Sequence, residues 1–289
     1  MRKVAIVGVE GSGKTVLLAG LAELYLRPDA KGYFLAPKNF RTASYVSTII
    51  GRMRAGKWPS ATAEDAMHGL DWTLKRKSDV GAPPTEICEL SCLDFAGEIY
   101  RRAFVDQAAA ARYEDPEQIE KLWEYVARAD VLIVLVNLRD VIYRGTADRR
   151  VTEALWVTNG LLDEALKPRA GRVPPRAAIV LSQADRYAAE IRKCGGPRGA
   201  LAKYLPTLSA SYDWLDVFAA CTVDKTMLDK DGYEIPAPDF ATNGLKPIMD
   251  WILTDGPARI SVASKHDILF WVVVGVLAIS FAALIFIAL

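Results

Sequence analysis

Apolar residues in this chain gather into short unbroken runs, separated by longer stretches in which they recur at helical spacing. Val4-Ala5-Ile6-Val7, residues 131–136 and residues 177–181 are continuously apolar. That is the pattern of strands buried on both faces of a parallel sheet. Between them, residues 16–26, 38–54 (with Phe40, Tyr45, Ile49 and Met53), 99–128 and 147–166 carry the helical period. Asp115-Pro116 interrupts the third of these helices. Residues 69–75 and 86–93 read as an antiparallel pair around the turn Gly81-Ala82-Pro83-Pro84. A helix is predicted after 182–185 up to Arg192, then one at 201–212, a last strand at 217–220 and a closing helix at 245–253. Residues 55–62, 171–175 and 223–243 read as loops from their Gly, Pro and Asp content. Strands alternating with helices predict an α/β fold: a mostly parallel sheet, one antiparallel strand and helices on both faces.

The last stretch breaks this pattern. Residues 268–289, ILFWVVVGVLAISFAALIFIAL, hold no charge and are apolar all round. As a helix they would be about 33 Å long, against a bilayer core of about 30 Å. A buried core helix is the alternative. Arg259, Lys265 and His266 precede the stretch and place the rest of the chain on the cytosolic side. The expected organisation is a P-loop domain at 1–255, a linker at 256–267 and a single-pass transmembrane tail anchor at 268–289. The run after Arg2-Lys3 is too short for the apolar core of a secretory leader.

Composition adds exclusions. The 289 residues include 36 basic and 35 acidic side chains, a formal net charge of +1. No basic run suggests a nucleic-acid surface, and no nucleic acid is expected as a partner. Cys88, Cys92, Cys194 and Cys221 form no C-x-x-C pair, and the two histidines, His68 and His266, stand at no metal spacing to them. Reduced thiols are expected, with Cys88 and Cys92 on one strand face.

The candidate chemistry begins where the first strand ends. Gly8-Val9-Glu10-Gly11-Ser12-Gly13-Lys14-Thr15 has the form G-x-x-x-x-G-K-T between an apolar strand and a helix. This is the context a phosphate-binding P-loop requires. Gly8, Gly11 and Gly13 let backbone N–H groups, including those of Glu10 and Ser12, face a phosphate at a helix N-terminus. Lys14 would reach the β- and γ-phosphates, and the Thr15 hydroxyl would bind Mg²⁺. A second station, Asp94-Phe95-Ala96-Gly97-Glu98, ends the strand at 86–93. A third, Ser182-Gln183-Ala184-Asp185, follows a later strand, and Cys221-Thr222 follows the last.

These four stations in this order resemble the Ras-like small GTPases of the translation-factor-related P-loop class, over residues 1–255. The resemblance implies GTP/GDP and Mg²⁺ as ligands. It assigns Lys14 to the phosphates and Thr15 and Asp94 to the metal, with Gly97 offering its N–H to the γ-phosphate. A switch threonine completes the metal shell. Thr62 is the choice over Thr42, Thr73 and Thr85, with a helix N-cap as its other reading. Asp185 stands where the family reads the guanine edge with a carboxylate, and the alternative there is again an N-cap. Ser182 and Gln183 replace the family's Asn and Lys, and Cys221-Thr222 replaces Ser-Ala. Glu98 stands where the family orients the attacking water with Gln, and Glu10 where many relatives have Gly. Both departures point to slow hydrolysis and to a protein partner, an effector or a GTPase activator that supplies an arginine. Arg101 and Arg102 are the internal alternatives. The expected function is a membrane-anchored guanine-nucleotide switch. A weakly catalytic nucleotide-binding scaffold and an ATPase of another P-loop branch are the rivals.

Overall fold

The computed structural model describes residues 1–9, 11–59, 68–78, 82–94, 116–145, 148–167 and 173–254. The chain divides into two units, Met1–Ala258 and Arg259–Leu289, and every described residue lies in the first. Strand β1 (Arg2–Gly8) is central. On one side stand β4 (Thr85–Asp94), β3 (His68–Arg76) and β2 (Tyr33–Pro37). On the other stand β5 (Val131–Asn137), β6 (Arg176–Ser182) and β7 (Asp216–Ala219). The pairings of β4, β1, β5, β6 and β7 are all parallel. β3 pairs antiparallel with both β4 and β2, so it alone runs against the rest of the seven-stranded sheet, as the pattern predicted.

The continuously apolar runs are buried on both faces because strand residues alternate sides. Val4 and Ile6 join Val131, Ile133 and Leu135 in one core, covered by α1 (Lys14–Leu24), α2 (Phe40–Arg54) and the final described helix, Leu245–Leu253. Ala5 and Val7 join Leu132 and Val134 in the other, covered by α3 (Pro116–Ala127), α4 (Leu138–Arg144) and α5 (Arg149–Leu166). Three short helices complete that face: α6 (Ala188–Lys193), α7 (Pro197–Tyr204) and α8 (Pro206–Ser211). Each fully buried Leu, Ile or Val stabilises by about 1.5–3 kcal/mol, whereas an exposed ion pair contributes about 0–1 kcal/mol. The two apolar cores therefore hold the fold. Cys88 and Cys92 share the first core, and burial pushes the Cys88 thiol up to about 11. All four cysteines are free.

Four local readings need correction. Residues 33–37 form a strand that the apolar pattern does not announce, because it is a five-residue edge strand ending in Pro37. Leu138–Arg144 is a helix that starts straight off β5, where Asn137 caps it by accepting from the Asp140 N–H. The predicted helix at 201–212 is two helices that begin earlier, at Pro197. Pro206 divides them, since proline has no N–H to continue the ladder. The predicted loop at 223–243 holds an antiparallel hairpin, β8 (Thr226–Leu228) with β9 (Glu234–Pro236). The closing helix, here α9, occupies Leu245–Leu253 as expected.

The described chain ends at Thr254, beside the N-terminal ends of β1 and β6. Arg176 Nη1 donates to the Thr254 carbonyl at 2.7 Å, and Arg2 donates to the Ile252 carbonyl. Among the described residues no helix is long and apolar enough to cross a membrane. The expected span at 268–289 and its linker lie outside the described residues.

Candidate functional site

The C-terminal ends of the parallel strands carry the site, where ligands bind in open α/β sheets. Gly8 is the last residue of β1 and is level with Leu135 of β5. It has φ +155°, and a Cβ there would come within 2.6 Å of Ser12 Oγ and 2.8 Å of the Leu135 carbonyl. Only glycine lets the loop fold so tightly onto the neighbouring strand. Gly11 (φ +71°) and Gly13 (φ +88°) take left-handed backbone as the loop turns into α1. The first N–H groups of α1 then point out of the helix end without intrahelical partners.

Lys14 is buried, and its Nζ donates to the carbonyls of Gly8 at 2.8 Å and Val9 at 3.1 Å. The ammonium is thus folded into the cradle by the loop itself. Ser12 Oγ is buried with no hydrogen-bond partner among the described residues. A buried hydroxyl without a partner is costly, and a phosphate oxygen would satisfy it. Asn137 ties the loop to β5: its Nδ2 donates to the Gly11 carbonyl at 3.2 Å and to Asp140 at 2.8 Å.

On the other flank of β1, Ile6 is level with Cys92, and continuing that register sets Asp94 level with Gly8. Asp94 is therefore at the strand tip beside the P-loop, where the sequence expected it. Just before this point a helix side chain reaches the β1–β4 ladder. Ile6 N–H donates to the Tyr125 hydroxyl at 3.1 Å, and that hydroxyl donates to the Ser91 carbonyl. Burial pushes the Tyr125 phenol well above its ordinary pKa, so it stays a donor. Sequence reasoning missed Tyr125, because α3 gives no local sign that one of its side chains enters the sheet.

The base end is built from the tips of β6 and β7. Ser182 Oγ donates to the Val136 carbonyl at 3.3 Å and is buried. Gln183 has φ +54°, the only left-handed non-glycine among the described residues. This costs a bulky residue some strain and swings the turn so that Asp185 follows. The Ala184 N–H then donates to the Ala220 carbonyl at 3.3 Å, joining the two base-end stations. Cys221 lies buried beside Asp185. Burial, followed by a hydrogen bond to the Asp185 carboxylate and its charge, raises the thiol pKa well above its ordinary value. Cys221 Sγ is also 2.8 Å from the Val223 carbonyl.

The backbone of this loop is equally constrained. Cys221 N–H donates to the Asn243 carbonyl at 2.9 Å, and Asn243 N–H returns the bond at 2.7 Å. Cys221 N–H is therefore committed. Thr222 N–H has no hydrogen-bond partner among the described residues. Thr222 is buried against α1, where a Cβ on Gly20 would come within 2.5 Å of its Cγ2. A glycine inside a helix has a packing reason here.

The switch candidates separate by position. Thr85 begins β4, and Thr73 is level with Glu89 and hence with Lys3, so both lie at the far edge of the sheet. Thr42 is buried in α2, with its Oγ1 3.4 Å from the Asp71 N–H. None of the three sits with the P-loop. Thr62, Glu10, Gly97 and Glu98 lie outside the described residues, as do Arg101 and Arg102. Among the described residues no group of three or more His, Cys, Asp or Glu side chains could hold a metal ion. Mg²⁺ needs no such cage, since it takes one or two protein oxygens together with phosphates and waters.

Solved structures similar to this chain include a mutant of S. thermophilus NFeoB bound to GDP. It is 12% identical with a TM-score of 0.37, and the match covers 86% of this chain and 60% of that one. The S. cerevisiae Ski7 GTPase-like domain bound to GTP is 10% identical, TM-score 0.44, over 87% of this chain and 49% of that one. The Arl6 BBS3 small GTPase from Trypanosoma brucei with bound GppNp is 12% identical, TM-score 0.35, over 87% and 94%. This chain thus spans about three fifths of the NFeoB chain and half of the Ski7 one. No curated protein matches. The family model described as Double-GTPase 2 matches residues 2–203 of the 289. With a P-loop, an Asp-tipped neighbouring strand and a base-end loop at one sheet edge, the chain carries a GTP-binding, GTPase-like domain and belongs to the Double-GTPase 2 family.

Proposed function

We propose that this protein is a membrane-anchored guanine-nucleotide switch that hydrolyses GTP slowly with Mg²⁺. One observation carries the reading. The P-loop, the tip of β4 and the Asp185/Cys221 pair, far apart in sequence, all follow the C-terminal ends of parallel strands of one sheet. Lys14 neutralises the β- and γ-phosphates, and the α1 N-terminus and Ser12 donate to their oxygens. Thr15 and Asp94, with Thr62 from outside the described residues, would hold Mg²⁺. The metal's part is to offset developing charge on the phosphates. Asp185 accepts from the N1–H and N2–H₂ edge of guanine, which adenine lacks. Thr222, rather than Cys221, offers the N–H for the guanine O6. Glu98, outside the described residues, replaces the glutamine of the related motif, and its charge would oppose the triphosphate and slow hydrolysis. Residues 268–289 anchor the domain to a bilayer. A protein effector, or an activating partner that lends an arginine, sets the output.

The test is a titration of the full chain in detergent with GTP, GDP and ATP, followed by phosphate release. The expected result is tight GTP and GDP binding with slow release. Preference for ATP would overturn the reading. Tight GTP binding without release favours the scaffold reading, which the replaced base-motif residues Ser182 and Gln183 support. Partition of the chain into vesicles, lost when 268–289 are deleted, tests the anchor.

A further inference from the structure

The β8–β9 hairpin lies on two segments that a nucleotide site uses separately, and one residue holds both. Glu234 opens β9. Its carbonyl accepts from Trp58 Nε1 at 2.8 Å. Its carboxylate forms an ion pair with Arg186 and accepts from Thr226 Oγ1 at 2.5 Å, which fixes the rotamer across the hairpin. Arg186 directly follows Asp185. Trp58 belongs to the arm that leaves α2 and runs on in sequence toward Thr62.

The hairpin is itself held firmly. Asp229 organises its turn, accepting from the N–H groups of Asp231 at 2.9 Å and Tyr233 at 2.8 Å. The returning chain is gripped by Arg54, at the end of α2. Arg54 donates to the carbonyls of Pro238 at 3.1 Å and Phe240 at 2.8 Å, and bonds Glu23 of α1 at 2.8 Å. Its guanidinium lies 4.0 Å above the Phe240 ring. At the arm, a Cβ on Gly56 would meet Ile235 Cδ1 at 3.3 Å, so the two chains already touch. The hairpin is therefore a strut braced on α1 and α2, not a free loop.

We infer that Glu234 is a positioning residue that latches the base-reading loop to the arm entering the switch segment, and so slows nucleotide release. This rests on the guanine-nucleotide reading of the site. Guanine leaves only when the Asp185 turn and its surroundings relax. The Arg186 ion pair restrains that turn, and the Trp58 bond restrains the arm on the same strut. Glu234→Gln removes the carboxylate charge that pairs with Arg186 but leaves the backbone carbonyl for Trp58 and an acceptor for Thr226. Trp58→Phe keeps the ring and removes the donor. The two variants thus separate the two arms of the latch.

The measurement is the dissociation rate of a fluorescent GDP and of a fluorescent non-hydrolysable GTP analogue from the full chain, with thermal melts of each variant. Because the Arg186–Glu234 pair is partly exposed, Glu234→Gln and Arg186→Ala are expected to speed GDP release about three- to tenfold. The double variant should be no faster than either single one, because both remove the same contact. Trp58→Phe should speed release of the GTP analogue more than that of GDP. Rates within twofold of the parent in all three variants, with GDP still bound tightly, would overturn the latch and leave the nucleotide reading standing. Equal acceleration that tracks a fall in melting temperature, or additive effects of Glu234→Gln and Arg186→Ala, would also overturn it. A parent chain that binds no guanine nucleotide would overturn both.

Discussion

The phosphate end and the base end of the site are built by different means. At the phosphate end, the recognising groups are mainly backbone N–H groups, set by Gly8, Gly11 and Gly13 and by the start of α1. One side chain, Lys14, adds charge, and the loop's own carbonyls hold it in place. At the proposed base end, the candidate groups are side chains and one loop N–H. These are positioned by contacts between residues distant in sequence: Cys221 beside Asp185, Cys221 on Asn243, and Thr222 on Gly20. A backbone device survives only in one local pattern, so its motif is intact. A side-chain device tolerates replacement where neighbours compensate. Ser182, Gln183 and Cys221 are such replacements, and Asp185 is the part retained.

The sharpest way to break this comparison is Lys14→Ala. It removes the loop's ammonium and should weaken GDP and GTP alike by at least about 100-fold, read by calorimetry. A loss confined to one of the two nucleotides would show that the phosphate end does not act as a unit. Asp185→Asn should weaken GDP about 30- to 100-fold while leaving ADP nearly unchanged, so that the two affinities converge. If selectivity persisted, the carboxylate would be a helix cap and the base would be read elsewhere.

Tyr125→Phe tests how far the phosphate end depends on the ladder beneath it. Ile6 N–H and the Ser91 carbonyl would each lose the hydroxyl as a partner while the ladder remains, at a cost of about 0.5–1.5 kcal/mol in unfolding free energy, measured by denaturant titration. The smallest effect is expected from Cys221→Ser, which restores the hydroxyl of the related motif. A thiol held neutral by burial and by Asp185 already occupies that position as a donor, so GDP affinity should change by less than about threefold. A larger change would show that the base end depends on the identity of this side chain as well as on its position.

Much of the fold was legible because burial on both sheet faces leaves an unmistakable trace. Residues 131–136 could be little else than a central strand, and β3 was correctly read as the reversed one. The elements that escaped were short or at an edge. Tyr33–Pro37 buries one residue of five, and Thr226–Leu228 and Glu234–Pro236 are three residues each, too few to show a period. Of the candidate site, the positions of Gly8, Lys14, Thr15, Asp94 and Asp185 at strand ends or helix starts were readable, because each sits at a fixed offset from a strand end. Tyr125 and Glu234 were not, since nothing near them in sequence reports the strands and loops they join.

By itself, then, the sequence determined the layering of the sheet, the glycine loop between β1 and α1, and the place of Asp185 just past the end of β6. All three are local: they depend on periodicity or on residues within one turn of each other. The tertiary structure alone decided that Cys221 faces Asp185 and that its N–H is spent on Asn243. It also decided that a hydroxyl from α3 reaches the β1–β4 ladder, and that Glu234 bridges Trp58 and Arg186. Those pairings join segments tens to more than a hundred residues apart. Their energy comes from close approach and desolvation in the folded state, and no local pattern in a chain records it.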